Sequence, residues 1–173
     1  MRMNRLIRFS ALALLLIALP GSGCRPSVSP PPKPSGPSGW AFEDGQRAVV
    51  SDYSGKVLLL NFYATWCEPC RHEMPHLVTL HQKYESQGLQ IIGLNVGGDE
   101  DYPEVPAFKK EFSIPFPLAI PDEDFVDRYL GVNQNIPQSF VIDRNGKIVK
   151  HFIGFSEESV KEVETVVQAA LKK

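Results

Sequence analysis

The order of apolar and amphipathic segments predicts an α/β domain in which helices flank a central mixed β-sheet. Three observations carry that expectation. Val57–Tyr63 (VLLLNFY) and Leu89–Val96 (LQIIGLNV) are nearly continuous apolar runs, the pattern of strands buried on both faces. A helical stretch separates them, so the pair reads as a parallel βαβ unit. Near the C-terminus two strand-like stretches flank Asn145-Gly146, so the sheet ends antiparallel.

The elements follow in chain order. Asp44-Gly45 lies between short apolar stretches and marks an N-terminal hairpin. After the first buried strand, a helix is expected from about Glu68 to Ser86, with Gly88 as its stop signal. Beyond the second strand, Glu104 to Phe112 has a helical pattern and Phe116 to Ile120 a strand pattern. Asp122 is placed to cap a helix running through Leu130. Ser139–Asp143 and Lys147–Ile153 make the closing hairpin. Ser156 and Ser159 open a last helix, in which Val160, Val163, Val166, Val167, Ala170 and Leu171 share one face.

Residues 40–173 supply one modest core, in keeping with a single globular domain. The formal charge of the 173-residue chain is −2, which argues against a basic nucleic-acid footprint. Three cysteines are too few for a disulfide-rich scaffold, and the odd number cannot all pair.

The first 23 residues read as a signal peptide. Arg2, Arg5 and Arg8 precede the apolar run Phe9–Leu19, which is shorter than the roughly 20 residues a spanning helix needs. Gly21, Ser22 and Gly23 lead to Cys24, an arrangement that resembles a bacterial lipoprotein signal, although such signals usually carry Leu where Gly21 stands. On that reading Cys24 is lipidated. The alternative is ordinary signal-peptidase cleavage nearby, leaving Cys24 free or partnered. Arg25–Gly39 contains six Pro, four Ser and two Gly, so residues 24–39 read as a lipidated cysteine followed by a stiff tether.

The chemistry concentrates at Trp66-Cys67-Glu68-Pro69-Cys70, where the first buried strand meets its helix. Unpaired N–H groups at a helix N-terminus favour a thiolate, which makes Cys67 the candidate nucleophile. Cys70 lies one turn further in and would resolve a mixed disulfide by attacking Cys67. An inert structural disulfide is the alternative, but so small a ring constrains little unfolded chain. Haem attachment requires His after the second cysteine, and Arg71 stands there. His72-Glu73-Met74-Pro75-His76 matches the HExxH pattern of zinc peptidases, but Pro75 interrupts the helical face that pattern needs. His72, His76 and His81 are therefore expected on the surface.

Taken together, Gly55-Lys56-Val57, the Asn61–Arg71 stretch (NFYATWCEPCR), Glu73-Met74-Pro75, Ile136-Pro137 and Phe140–Asp143 before Asn145-Gly146-Lys147 carry a resemblance. They resemble the thioredoxin superfamily, and within it the membrane-tethered thiol-disulfide oxidoreductases of the TlpA/ResA type. The resemblance implies a thioredoxin-like fold with a central αβ insertion before Ile136-Pro137. It implies that Pro137 is a cis-proline facing the redox pair and that Ile136 offers its backbone to a substrate chain. Trp66 and Pro69 join these two as substrate-binding residues. Glu73 matches a glutamate that influences cysteine protonation, and could take the proton from Cys70. Ordinary thioredoxins carry a buried Asp six residues before the first cysteine; here that place is Asn61, which cannot shuttle protons.

The function so implied is reduction of disulfides in exported proteins, apocytochrome c among the candidates, with electrons from a membrane thiol donor. No metal and no cofactor beyond the Cys67–Cys70 pair is expected, and a lipid-anchored monomer facing the periplasm or extracytoplasmic space is the default. Two other readings use the same fold. A peroxiredoxin-like peroxidase would carry Pro and Thr or Ser where Leu60 and Ala64 stand. A copper metallochaperone would carry Cys-xxx-Cys and a distal His; the spacing here is one residue shorter, and His151 is the candidate distal ligand.

Overall fold

The computed structural model describes residues 37–173, so the expected signal peptide, Cys24 and most of the expected tether lie outside the described residues. The elements are β1 (Trp40–Phe42), β2 (Arg47–Ala48), β3 (Val57–Tyr63), α1 (Glu68–Tyr84), β4 (Leu89–Asn95), α2 (Val105–Glu111), β5 (Leu118–Pro121), α3 (Glu123–Leu130), β6 (Gln138–Ile142), β7 (Ile148–Ile153) and α4 (Glu157–Leu171). One seven-stranded sheet runs in the order β2-β1-β5-β4-β3-β6-β7. β4 lies between β3 and β5 and is parallel to both, while the pairings of β1, β2, β6 and β7 are antiparallel.

Because strand side chains alternate, β3 feeds two cores. Val57, Leu59 and Tyr63 face one cluster, shared with Met74 and Leu77 of α1, Phe108 of α2 and Val163 and Val167 of α4. Leu58, Leu60 and Phe62 face the other, shared with Trp40 and with Phe125 and Leu130 of α3. Thus three helices cover one face and α3 covers the opposite one. Gly93 lets β4 sit close to its neighbours: a Cβ there would lie 2.5 Å from a Leu118 methyl and 3.2 Å from the Tyr63 ring.

Several expected boundaries move for local reasons. α1 tightens into a 3-10 turn over Glu85–Gln87 before Gly88, whose φ of +103° ends it. The strand expected from Phe116 begins at Leu118, because Pro117 has no N–H for a ladder. The helix expected from Glu104 starts as a 3-10 turn over Tyr102–Glu104 and becomes α2 at Val105. Asp122 precedes α3, but its side chain makes no capping bond. Its carboxylate instead accepts from Gly39 N–H at 2.9 Å and pairs with Arg47 at 2.5 Å, tying the N-terminal hairpin to the sheet. Ser156 and Ser159 do form a reciprocal capping box at α4.

His81 corrects another expectation. It is buried, with its ring 5.6 Å from that of Phe116. It falls one helical repeat from Met74, Leu77 and Tyr84, so the apolar face of α1 carries it inward. His72 and His76 lie further out and both stack on Phe155. Among the described residues, no three metal-ligating side chains converge.

Candidate active site

β3 runs apolar to Tyr63 and then stops, and the chain turns through Ala64–Trp66 into α1. Cys67 is the N-cap of α1, with extended backbone, and its Sγ accepts from the Cys70 N–H at 3.3 Å. Pro69 in the first turn needs no intrahelical donor, so it suits a helix start. Cys67 and Cys70 are joined in a disulfide, with Cα atoms 5.3 Å apart. Cys67 keeps 5% exposure and Cys70 none, the asymmetry that an attacking and a resolving cysteine require. Trp66 beside them is 68% exposed.

Across the sheet, the Ile136–Pro137 peptide is cis and the Ile136 carbonyl oxygen lies 3.7 Å from Cys67 Sγ. Trp66 and Ile136 both line a cleft of about 350 Å³, together with Val96, Tyr102, Val126 and Leu130. Trp66, Cys67, Cys70, Ile136 and Pro137 therefore meet in one place. Pro69 is exposed on the same turn.

Glu73 follows Cys70 by three residues on α1 and is 6% exposed. Its position follows from register. Asn61 of β3 and Ser139 of β6 are direct antiparallel partners, and both have the strand parity that faces α1. Asn61 Nδ2 donates to Glu73 Oε2 at 2.8 Å, and Ser139 Oγ donates to Glu73 Oε1 at 3.3 Å. Burial nevertheless raises the Glu73 carboxyl to about 7, the two hydrogen bonds only partly opposing it. A cavity of about 140 Å³ between α1 and α4 also reaches Glu73. Asn61 thus has a role that sequence reasoning missed: it carries no proton, but it holds the residue that can. A polar residue inside the apolar run of β3 was the available signal.

A second buried carboxylate holds the turn before Cys67. Asp101 accepts from Thr65 N–H at 3.0 Å, from the Thr65 hydroxyl, and from Asn95 Nδ2 at 2.7 Å. Arg71 donates to the Thr65 carbonyl at 3.2 Å, pairs with Glu111 and lies over the Phe108 and Phe112 rings. Asp101 is one of a run of acids whose neighbours Asp99 and Glu100 are exposed, so nothing in sequence distinguished it. His151, the candidate distal copper ligand, hydrogen-bonds Gln138 at 2.7 Å and stacks on Phe140.

Comparison with known proteins places this geometry. Residues 39–151 match the AhpC/TSA family. The thiol-disulfide oxidoreductase ResA of Geobacillus thermodenitrificans is 38% identical over 120 residues, covering 69% of this chain and 67% of that protein. ResA of Bacillus subtilis is 37% identical over 118 residues, covering 68% of this chain and 64% of that protein. The aligned stretch thus spans about two thirds of these relatives. A Chlorobium tepidum structure assigned as the thiol:disulfide interchange protein DsbE superposes with a TM-score of 0.67 at 31% identity, covering 77% of this chain and 92% of that one. A Bacteroides thetaiotaomicron structure assigned as a protein disulfide isomerase gives a TM-score of 0.67 at 30% identity, with 78% and 86% coverage. The cysteine pair at a strand–helix junction, in a sheet shared with these proteins, makes the chain a member of the AhpC/TSA family in the thioredoxin superfamily, an oxidoreductase of the thiol-disulfide type.

Proposed function

We propose that the protein is an exported, lipid-anchored reductant of disulfides in other extracytoplasmic proteins. The observation that carries this reading is the Cys67–Cys70 pair: Cys67 at the α1 N-cap with 5% exposure, Cys70 with none, and a buried carboxyl at Glu73 with a raised pKa. In the dithiol form the Cys67 thiolate attacks one sulfur of the substrate disulfide. The substrate's other sulfur leaves and takes a proton. Glu73 accepts the Cys70 proton, and the Cys70 thiolate then attacks Cys67 Sγ. The second substrate thiol is released, and the Cys67–Cys70 disulfide remains with two electrons transferred.

A dithiol donor in the membrane returns those electrons. Residues 1–23 direct export, Cys24 carries the lipid, and residues 24–39 hold the domain away from the surface. Trp66, Pro69, Ile136 and Pro137 contact the substrate chain, and apocytochrome c is one candidate substrate. The pair needs no further cofactor, and a monomer suffices. The decisive measurement is the reduction potential of Cys67–Cys70. A value near or below about −270 mV fits a reductant, and one near about −120 mV overturns that direction in favour of an oxidant.

A further inference from the structure

Gln138 follows the cis-proline directly and begins β6, with 1% of its surface exposed. A buried primary amide has two donor hydrogens and an acceptor oxygen to satisfy. Here all three are used. Nε2 donates to the carbonyl oxygens of Asn133 at 2.6 Å and Asn135 at 2.7 Å, and Oε1 is 2.7 Å from His151 Nε2. Reversing the amide would set its oxygen against two carbonyl oxygens, so the orientation is chemically determined, and His151 Nε2 must carry the proton. The His151 ring is held in place by stacking on Phe140, with centroids 4.0 Å apart and planes 10° apart.

The two captured carbonyls belong to alternate residues of the segment that enters Ile136-Pro137. With those of residues 133 and 135 turned inward to Gln138, the Ile136 carbonyl faces Cys67 Sγ, 3.7 Å away. Gln134, Ile136 and Trp66 all line the same cleft. Few other bonds hold the segment: Asn133 N–H reaches the Leu130 carbonyl at 3.2 Å, and Asn135 N–H reaches Asn133 Oδ1 at 3.2 Å. A short stretch without ladder partners would lose order without the amide, because conformational entropy opposes holding its backbone in one form.

We infer that Gln138 is a positioning residue for substrate capture: its amide, seated on His151, clamps the Asn133 and Asn135 carbonyls. The backbone of residues 134–136 is thereby preset as the edge on which an extended polypeptide disulfide substrate pairs beside Cys67. This rests on the reading of the protein as a reductant of protein disulfides. It concerns capture of a chain, not the chemistry of the sulfurs. A small disulfide, which makes no strand-like pairing, should be insensitive to it.

The test compares wild type with Gln138→Met, which keeps the length of the side chain and removes every hydrogen bond. Insulin is the polypeptide substrate and oxidised glutathione the small one. The expected result is a rise of about tenfold in KM for insulin, the loss of a pre-ordered edge, with kcat little changed. The rate with oxidised glutathione and the Cys67–Cys70 potential should stay at wild-type values. Equal losses with both substrates, a shifted potential or an unchanged KM for insulin would each overturn the clamp. If the Met variant does not fold, Gln138→Thr supplies the same comparison with a residue suited to a strand. His151→Ala, which leaves the amide without its seat, should shift KM for insulin in the same direction by less. Wild type inactive on both disulfides would overturn the reductant reading itself, an outcome distinct from an active enzyme indifferent to Gln138.

Discussion

Glu73 is the residue whose environment makes the sharpest demand. Its carboxyl is pushed up to about 7 by burial, above the ordinary carboxyl range. The fold therefore favours the protonated form. That contribution to stability is fully present below the unfolded pKa, near 4.5, and is lost as pH rises through about 7. Its size is on the order of 3 kcal/mol. Glu73→Gln should match wild type in thermal unfolding at pH 4 and melt higher than wild type at pH 8. The same substitution should remove an inflection near pH 7 from the alkylation rate of the reduced cysteines; an unchanged profile would end the proton-transfer role proposed for Glu73. Asp101 is the other buried acid of consequence. Removing it in Asp101→Ala leaves Thr65 N–H and Asn95 Nδ2 without their shared acceptor. A loss of about 2–4 kcal/mol in urea unfolding is expected.

At the scale of elements, α1 does two jobs that ordinarily conflict. Its N-terminus must stay open to a substrate while its body is buried. Pro69 and the Cys67 N-cap serve the first, and the Met74, Leu77, Leu80 and Tyr84 face serves the second. The register of β3 against β6 then brings Asn61 and Ser139 under the same helix. α4 contributes packing rather than chemistry, and its capping box supports that. Ser156→Ala should cost about 1 kcal/mol in unfolding free energy. The reduction potential of the cysteine pair should not move, which a thiol-redox equilibrium would check.

Across the whole molecule, the sheet separates two cores with different duties. The α1 side holds the cysteines and Glu73, while the α3 side holds Trp40, Phe62, Phe125 and Phe140. Trp40 is fully buried and meets Phe125 edge-on, with centroids 5.4 Å apart. Trp40→Ala should therefore destabilise the domain by about 3–5 kcal/mol, read as a lower Tm. The potential should remain at the wild-type value, since Trp40 packs in the α3-side core and the two cysteines lie in the α1-side core. A shift in potential without a change in Tm would contradict this division.

The local rules of the chain were enough for much of this. Buried-strand runs, the Asn145-Gly146 turn, the Ser156 cap and the Trp66–Cys70 junction are all short-range signals, each written within a few consecutive residues. They determined the order of elements and the place of the redox pair. What they could not determine was which distant polar groups share a burial site. Asn61 with Glu73 and Ser139, Asp101 with Thr65, and Gln138 with His151 are pairings across strands and loops. Asp122 reads as a helix cap from its neighbours, yet an arginine 75 residues away takes its carboxylate. His81 reads as a surface residue by type, yet the helix face turns it inward. Hydrophobic periodicity is a property of the local chain, whereas a buried hydrogen bond depends on register and packing, and only the tertiary structure decides those.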